Sequence, residues 1–558
     1  MRKRWNLHSV AKNTVDLLSD ELKIHPSISK VLIQRGHNTI EKASLFLNPS
    51  ISQLHDPFLM KDMDIAIQRI ERAIQDKETI LIYGDYDVDG VTSVALMYDF
   101  LAKLTPNLVY FIPQRKKDGY GLSCTGIDFG KSKGATLMIA LDCGIQGNDE
   151  VDYANQLNID TIICDHHLPQ KQLPKAYAIL NPRQDWCSYP NEELSGCGIG
   201  FKIVQAYMAK NGGDSKELLS YLDLVVLSLA CDIVPIIGEN RVLSFFGLKI
   251  LNKKPRLGIQ FLIQASTKQT PLTITDIVFG IGPLINAAGR FSDAERAVKL
   301  LLSKNKMEAN DNIRSLVNKN KERKIIQQRI LDEANKMIKL PVKNTIVLYH
   351  PDWHIGVLGI IASRISEMYY RPTIILTLKD DLIVGSARSI AGANIYMALE
   401  KSKEFIFEFG GHQFAAGLKL EQEHLEQFKI SFENAIEQQV SKIDLFQKIS
   451  IASKLDFHDI NASFWHDLKR LAPFGPKNRN PIFLTTNVID NGNSKIVGLD
   501  HLKLDMSQGE SKSISGIAFQ QGEHLEKVKK KSFDICYNIR ENVWQGKSKL
   551  NLHIKDIK

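Results

Sequence analysis

Short apolar runs recur along the first third of the chain, at 79–83, 107–112, 136–141, 159–163 and 176–180. Amphipathic or loop stretches separate them. One of these, 92–103, carries Val94, Leu96, Met97, Phe100 and Leu101 on a helical stripe. Strand-length runs in alternation with helices predict a parallel sheet built of βαβ units. Residues 1–55 read as a helical and irregular lead. The region 200–265 continues as helix, and 293–339 reads as long, charged, proline-free helices. There Ile326, Ile330, Ala334 and Met337 recur at helical spacing, the pattern of a partly exposed connector. A second α/β unit follows, with strands at 344–349, 373–377 and 382–387, a helix at 356–369 and a glycine-rich segment at 410–417. From about 444 the pattern turns to short strands near 446–452, 481–488, 494–506, 511–519 and 532–538, a small all-β domain of OB-like type. The boundaries expected are 1–55, 56–292, 293–340, 341–443 and 444–558.

A chain of 558 residues is too long for one core, so several domains are expected from length as well. Apolar residues make up 44% and charged residues 24%, ordinary for a globular protein. The net charge, 71 − 63 = +8, permits a nucleic-acid partner without requiring one. Seven scattered cysteines without metal-ligand spacing predict reduced thiols rather than disulfides or a zinc site. The basic stretch Met1–Val10 lacks the apolar core of a signal peptide. The longest apolar run, Leu222–Ile237, is interrupted by Asp223, Asp232 and Pro235, unlike a membrane span. A soluble, cytoplasmic, monomeric protein is the expectation.

The chemistry is concentrated where the predicted strands end. Strand 79–83 runs into Gly84-Asp85-Tyr86-Asp87-Val88-Asp89-Gly90, strand 136–141 into Asp142-Cys143-Gly144, and strand 159–163 into Cys164-Asp165-His166-His167. Ligands of open α/β sheets bind at that edge. Asp232, in Ala230-Cys231-Asp232-Ile233-Val234-Pro235, ends an apolar helix. A lone Asp-Xaa-Asp after a strand is more often a turn or a helix cap. Three acidic clusters on one sheet edge are harder to dismiss, because concentrated negative charge adds no stability. Divalent cations would relieve the repulsion, and oxygen ligands with an imidazole suit Mg²⁺ or Mn²⁺. Two such ions about 3.5–4 Å apart can hold both the attacking and the leaving oxygen of a phosphoryl transfer. Hydrolysis of a phosphoester by metal-activated water is the chemistry expected.

These segments resemble, in order, the motifs of the DHH phosphoesterases: Gly84 to Ser93 the first, Asp142-Cys143-Gly144 the second, Asp165-His166-His167 the third, and Asp232 the fourth. Other segments are similar to the exonuclease branch of that superfamily, including Ile112 to Arg115, Asp118 to Ser123, Asn181-Pro182-Arg183, Gly196 to Phe201 and Gly282 to Arg290. His354 to Gly359, Gly385 to Ser389 and Gly410-Gly411-His412 resemble the DHH-associated domain. The likeness runs from about residue 30 to the end.

The resemblance implies an α/β fold: a parallel-sheet DHH domain, a second α/β DHH-associated domain joined by a long helix, and a C-terminal OB-like β domain. It implies that Asp85, Asp87, Asp89, Asp142, His166 and Asp232 hold two Mn²⁺ or Mg²⁺ ions, with Asp142 bridging them. Asp165 would orient His166, and His167 would touch the scissile phosphate or assist proton transfer. Arg115, Arg290, Ser386, Arg388, Gly410, Gly411 and His412 would hold phosphates in a cleft between the two α/β domains. Tyr83 stands where some members carry a histidine, so one ion would have fewer protein ligands unless Asp85 or water fills the gap.

The implied activity is 5′→3′ exonuclease action on single-stranded DNA in recombination and repair, with a helicase and a single-strand-binding protein as partners and no membrane. Two rivals are a DHH enzyme for short oligonucleotides or cyclic dinucleotides and a nucleic-acid-binding protein without chemistry. The long β domain argues against the first, and the intact acidic set against the second. Lys116-Lys117 and Lys529-Lys530-Lys531 read as solvated faces when taken alone. The loop Pro473 to Pro481 either contacts DNA or joins two domains.

Overall fold

The structure, a computed structural model, describes residues 3–558 apart from 116, 291–292, 442–444 and 545–546. Lys116 and the expected boundaries after residues 292 and 443 therefore fall outside the described residues. The chain forms two compact units. One joins Leu7–Val317 to Ile451–Lys558, and the other holds Asn318–Ser450 with the residues before Leu7. Among the described residues no helix is long and apolar enough to cross a membrane. Among the described residues no cysteine forms a disulfide.

Strand β1 (Arg4–Leu7) opens the chain. The helices Lys12–Leu22, Pro26–Gln34 and Ile40–Leu47 follow. Next comes a five-stranded sheet of β2 (Thr79–Gly84), β3 (Leu108–Phe111), β4 (Ala135–Leu141), β5 (Asp160–Cys164) and β6 (Ala178–Leu180). Its order is β3-β2-β4-β5-β6 and every pair is parallel. Alternation along the strands divides two cores. Ile80, Ile82, Leu137, Ile139 and Ile162 enter one, while Leu81, Tyr83, Met138, Ala140 and Ile163 enter the other. A sheet covered on both faces needs apolar residues at every position, which is why these strands read as unbroken apolar runs.

Four helices of this unit shape the site. They are α1 (Val88–Leu101), α2 (Gly196–Asn211), α3 (Leu222–Cys231) and α4 (Gly282–Arg290), the last preceded by a π-helical turn over Ile277–Ile281. The long helix α5 (Lys306–Met337) follows.

In the other unit, β7 (Ile346–Tyr349), β8 (Thr373–Lys379), β9 (Leu382–Arg388), β10 (Glu408–Gly411) and β11 (Ala415–Leu420) form a sheet of order β10-β11-β9-β8-β7. Helix α6 (Leu358–Tyr369) packs on it, and β12 (Lys448–Ile451) pairs with β1.

The C-terminal strands are β13 (Ser453–Lys454), β14 (Phe483–Asp490), β15 (Lys495–Val497), β16 (His501–Ser507), β17 (Ile514–Ala518), β18 (Phe533–Trp544) and β19 (Lys547–Ile557). Their order is β13-β14-β18-β19-β17-β16-β15, and a further β14–β16 pairing closes the sheet on itself, the OB-like barrel expected.

Several elements differ from the sequence reading. The run 494–506 is two strands, broken by a turn at Gly498 with φ +62°. The run 532–538 extends to Trp544, and β19 had no counterpart in the expected pattern. The first three helices are not a separate lead. Leu18, Ile28, Leu32 and Phe46 share one core with Phe464, Phe483, Tyr537 and Leu552 of the β domain. The loop Pro473 to Pro481 joins parts of this unit. Pro476 O accepts from Ile236 N at 2.9 Å, and the buried Asn478 accepts from Arg35 at 2.5 Å.

Candidate metal centre

Register brings the acidic segments together. Gly84 pairs with Leu141, and Leu141 with Cys164, so three neighbouring strands end level. The next residue on each is an aspartate: Asp85, Asp142 and Asp165. All three are buried. Asp142 adopts φ +61°, which turns its side chain off the strand line, while its N–H still donates to Cys164 O at 2.8 Å.

Helices supply the other acids. Asp87 caps α1, its Oδ1 accepting from Asp89 N at 2.8 Å and Gly90 N at 3.2 Å. Asp89 sits at the N-terminus of α2. Its carboxylate accepts from Gly196 N at 2.7 Å, Cys197 N at 2.8 Å and Ser228 Oγ at 2.7 Å. Free N–H groups and the helix dipole both favour an anion there. No side chain fits at position 196, since a Cβ there would lie 2.5 Å from Asp142 Cβ. Asp232 follows the last turn of α3 and is partly exposed.

The resulting groups match metal sites. Ligand atoms of Asp85, Asp87 and Asp142 lie within 4.8 Å of one another, as do those of Asp89, His166 and Asp232, and those of Asp142, His166 and His167. His166 Nε2 lies 3.1 Å from Asp142, 3.7 Å from Asp89 and 3.7 Å from Asp232.

The electrostatics also fit a cation. Burial and then Asp87 push the Asp85 carboxyl up to about 8. Burial and then Asp89 raise Asp142 well above the carboxylate range, and the same two causes raise Asp232. Among the described residues, Asp85 Oδ1 is buried with no hydrogen-bond partner. Unmatched carboxylate oxygen in a dry, crowded acidic pocket is what an oxygen-seeking divalent ion satisfies.

Asp165 behaves differently. Burial alone would raise its carboxyl, but the hydrogen bond and charge of His167 prevail and lower it. Asp165 Oδ1 accepts from His167 Nδ1 at 2.7 Å, and Oδ2 accepts from Ile145 N at 2.9 Å. The expectation that Asp165 orients His166 is thus corrected: its partner is His167. Burial lowers the His167 imidazole, yet Asp165 outweighs it and the ring rises to about 9. The other ring nitrogen, Nε2, lies 2.9 Å from Tyr120 Oη.

Tyr83 enters the core of Leu81, Met138 and Ile163. Its hydroxyl donates to Gly121 O at 2.9 Å and lies 3.2 Å from Ser123 Oγ, so it takes no part in the cluster.

Arg115 and Arg290 both lie at the first acidic loop. The Arg115 guanidinium stands 5.8 Å from the Tyr86 ring centroid, and Gly289, beside Arg290, abuts the Tyr86 carbonyl.

The remaining expected phosphate holders belong to the other unit. Arg388 Nη1 donates to Ser386 Oγ at 3.0 Å. Gly359, in the first turn of α6, packs so closely that a Cβ would lie 2.8 Å from Arg388 Nη2. Gly410, Gly417 and Ser386 form one row across three strands, beside a cleft of about 300 Å³ that includes Lys379 and Lys419. Gly411 and His412 turn the hairpin, with His412 N donating to Ala415 O at 2.8 Å.

Sequence reasoning missed Tyr120, the N–H groups of Gly196 and Cys197, Ser228, and Asn181, whose side chain donates to His167 O at 2.9 Å. Tyr120, Asn181, Gly196 and Cys197 lie in family-like segments of the sequence but had been given no role. Ser228 is hidden in an apolar helix and leaves no pattern.

Three family models match the chain: the DHH family N-terminal domain over residues 79–229, the DHHA1 domain over 343–439 and the RecJ OB domain over 451–556. The chain is 34% identical to the single-stranded-DNA-specific exonuclease RecJ of Bacillus subtilis (strain 168), over 99% of this chain and 70% of that protein. It is 31% identical to the Salmonella typhimurium protein of the same name, over 98% of each. Among solved structures, RecJ in complex with Mn²⁺ from Thermus thermophilus aligns with a TM-score of 0.85 at 24% identity, covering 100% of this chain and 79% of that one. An exonuclease RecJ bound to manganese aligns with a TM-score of 0.60 at 29% identity, over 71% of this chain and 100% of that one.

Proposed function

The chain belongs to the RecJ family of single-stranded-DNA-specific exonucleases, and on that premise we propose that it removes nucleotides one at a time from the 5′ end of single-stranded DNA. Water attacks the first internucleotide phosphate, and the 3′ oxygen of the terminal nucleotide leaves. The observation that carries this reading is the level ending of three strands in a buried acidic group with an unpartnered Asp85 oxygen. Two divalent ions, Mn²⁺ or Mg²⁺, supply an activated water and neutralise phosphate charge when bound.

Asp85, Asp87 and Asp142 would hold one ion, and Asp89, His166 and Asp232 the other, with Asp142 beside both through its contact with His166. The helix N–H groups fix the orientation of the Asp89 carboxylate. Asp165 holds the His167 ring toward the phosphate. Arg115 and Arg290 hold phosphate oxygens at the first acidic loop. Ser386, Arg388 and the Gly410–His412 hairpin bind phosphate in their own unit, where arginine's forked guanidinium suits the task.

The β domain supports a polymer substrate. Lys495 and Lys503 stand directly opposite each other on β15 and β16, and like charges so placed repel. Phe519, half exposed, lies between His501 at 5.0 Å and His553 at 5.3 Å, ring centre to ring centre. Cations beside an exposed ring suit the phosphates and bases of an unpaired strand. An exonuclease confined to single strands needs unpaired ends supplied to it. A helicase and a single-strand-binding protein are therefore its expected partners, with a monomeric enzyme in the cytoplasm serving recombination and repair.

The test is digestion of a 3′-labelled single-stranded oligonucleotide in Mn²⁺ or Mg²⁺, beside its blunt duplex and an Asp142→Asn variant. Stepwise 5′ shortening of the single strand alone is expected, reduced in the variant by more than about a thousandfold. Asparagine tolerates the left-handed backbone at this position, so the variant changes the ligand and not the turn. Equal shortening of the duplex, or an active variant, would overturn the reading.

A further inference from the structure

His167 is held at both ring nitrogens. Asp165 takes Nδ1 at 2.7 Å, and Tyr120 Oη covers Nε2 at 2.9 Å. Asp165 is itself fixed from behind by Ile145 N at 2.9 Å. These contacts form a line from a buried carboxylate through a ring to a phenol at the surface. Tyr120 is 58% exposed, at the tip of a loop whose flanking Gly119 and Gly121 both adopt φ +85°. Its ring meets that of Tyr86 edge-on, at 6.4 Å between centres. The hydroxyl thus stands at the mouth of the site, in front of the imidazole.

On the exonuclease reading above, we infer that the hydroxyl of Tyr120 is a further catalytic residue, the group that donates a hydrogen bond to an oxygen of the scissile phosphate. Tyr120 lies against the outward nitrogen of His167, so the phenol and the imidazole face the phosphate together. A hydroxyl carries one donor and two acceptor positions, so it can accept from the ring behind it and donate to the anion in front. With the ring nitrogen donating to the phenol, the phenol's own hydrogen is left for the phosphate oxygen in front of it. Its contact with His167, whose ring lies 4.5 Å from that of the proposed ligand His166, places the phenol beside the acidic cluster, and a phenol is protonated at neutral pH. The Asp165–His167 pair then positions the donor, and the tip of the loop carries it.

A ring that merely stacks on a base would serve equally well as phenylalanine, and this separates the two roles. The experiment compares the full chain with Tyr120→Phe and Tyr120→Ala in Mn²⁺, measuring kcat and KM on a 3′-labelled single-stranded oligonucleotide. Tyr120→Phe is expected to lower kcat by about 10- to 100-fold, the span of one hydrogen bond to a charged group, with KM unchanged. Tyr120→Ala is expected to lose the same factor in kcat and to raise KM as well. A wild-type kcat in Tyr120→Phe overturns the inference, and so does a change confined to KM. If the wild-type chain itself leaves the oligonucleotide intact, the exonuclease reading fails first, and the two failures are told apart by that lane.

Discussion

Asp85 and Asp165 follow level strand ends in one sheet, yet their carboxyls are driven in opposite directions, Asp85 up to about 8 and Asp165 down. Burial opposes the charge in both. Asp165 is offset by His167, whereas Asp85 faces Asp87 and has an oxygen without a partner. A carboxyl raised in the folded state binds a proton that the unfolded chain has already shed. Between about pH 4 and 8 the metal-free fold therefore loses stability as pH rises. A divalent ion displaces that proton, so its binding strengthens over the same range. The rise in Tm on adding Mn²⁺ is expected to be larger at about pH 8.5 than at about pH 6. Scanning calorimetry with and without EDTA measures it, and an equal rise at both values would sink the account. At this scale the sequence was informative about which residues gather, because each acid directly follows an apolar run. It was silent on which of two adjacent histidines Asp165 holds, since neighbours along the chain point to different sides and only coordinates distinguish them.

Helix α2 enters the site with its N-terminus foremost. Two backbone N–H groups hold Asp89 while the bare Cα of Gly196 passes against Asp142. Gly196→Ala places a methyl group where Asp142 Cα and Cβ stand, at 2.8 and 2.5 Å. The helix must retreat, at a cost of about 1–3 kcal/mol, and Asp89 loses its donors. Activity on single strands is expected to fall far more than stability does, with circular-dichroism melting giving one and oligonucleotide digestion the other. A variant as active as wild type would show that this approach has no bearing on the site. The parallel sheet was legible because its strands are buried on both faces and carry few polar interruptions. The β domain was legible only in part. Its strand Lys547–Ile557 alternates, but Lys549, His553 and Lys555 fall on one face and dilute the apolar signal. The run 494–506 hid its turn because the apolar pattern continues through it on both sides of Gly498.

At the scale of the molecule, the first helices and the last strands are one body. Arg241 is the clearest link. Its buried guanidinium donates to Phe46 O at 3.1 Å, Leu471 O at 2.9 Å and Arg470 O at 2.9 Å, and lies 3.9 Å from the Phe46 ring centre. Arg241→Ala takes this donor from the Phe46 and Arg470 carbonyls, each worth about 1–3 kcal/mol, while Leu471 O keeps Asn478 Nδ2, and more than about 2 kcal/mol of stability is expected to go. Urea unfolding followed by circular dichroism tests this, and a loss under about 1 kcal/mol would sink it. Length and composition could not reveal the link, because an expected domain plan follows chain order whereas this core ignores it. The same shared core has a consequence for synthesis. Leu18, Ile28, Leu32 and Phe46 leave the ribosome early, and their partners Phe464, Phe483, Tyr537 and Leu552 leave late. At about 5–20 residues per second, the early helices wait on the order of tens of seconds with their apolar sides uncovered. Growing chains of this protein should therefore depend on chaperone cover for most of translation, and a ribosome that stalls before the β domain emerges leaves a product that cannot complete its fold.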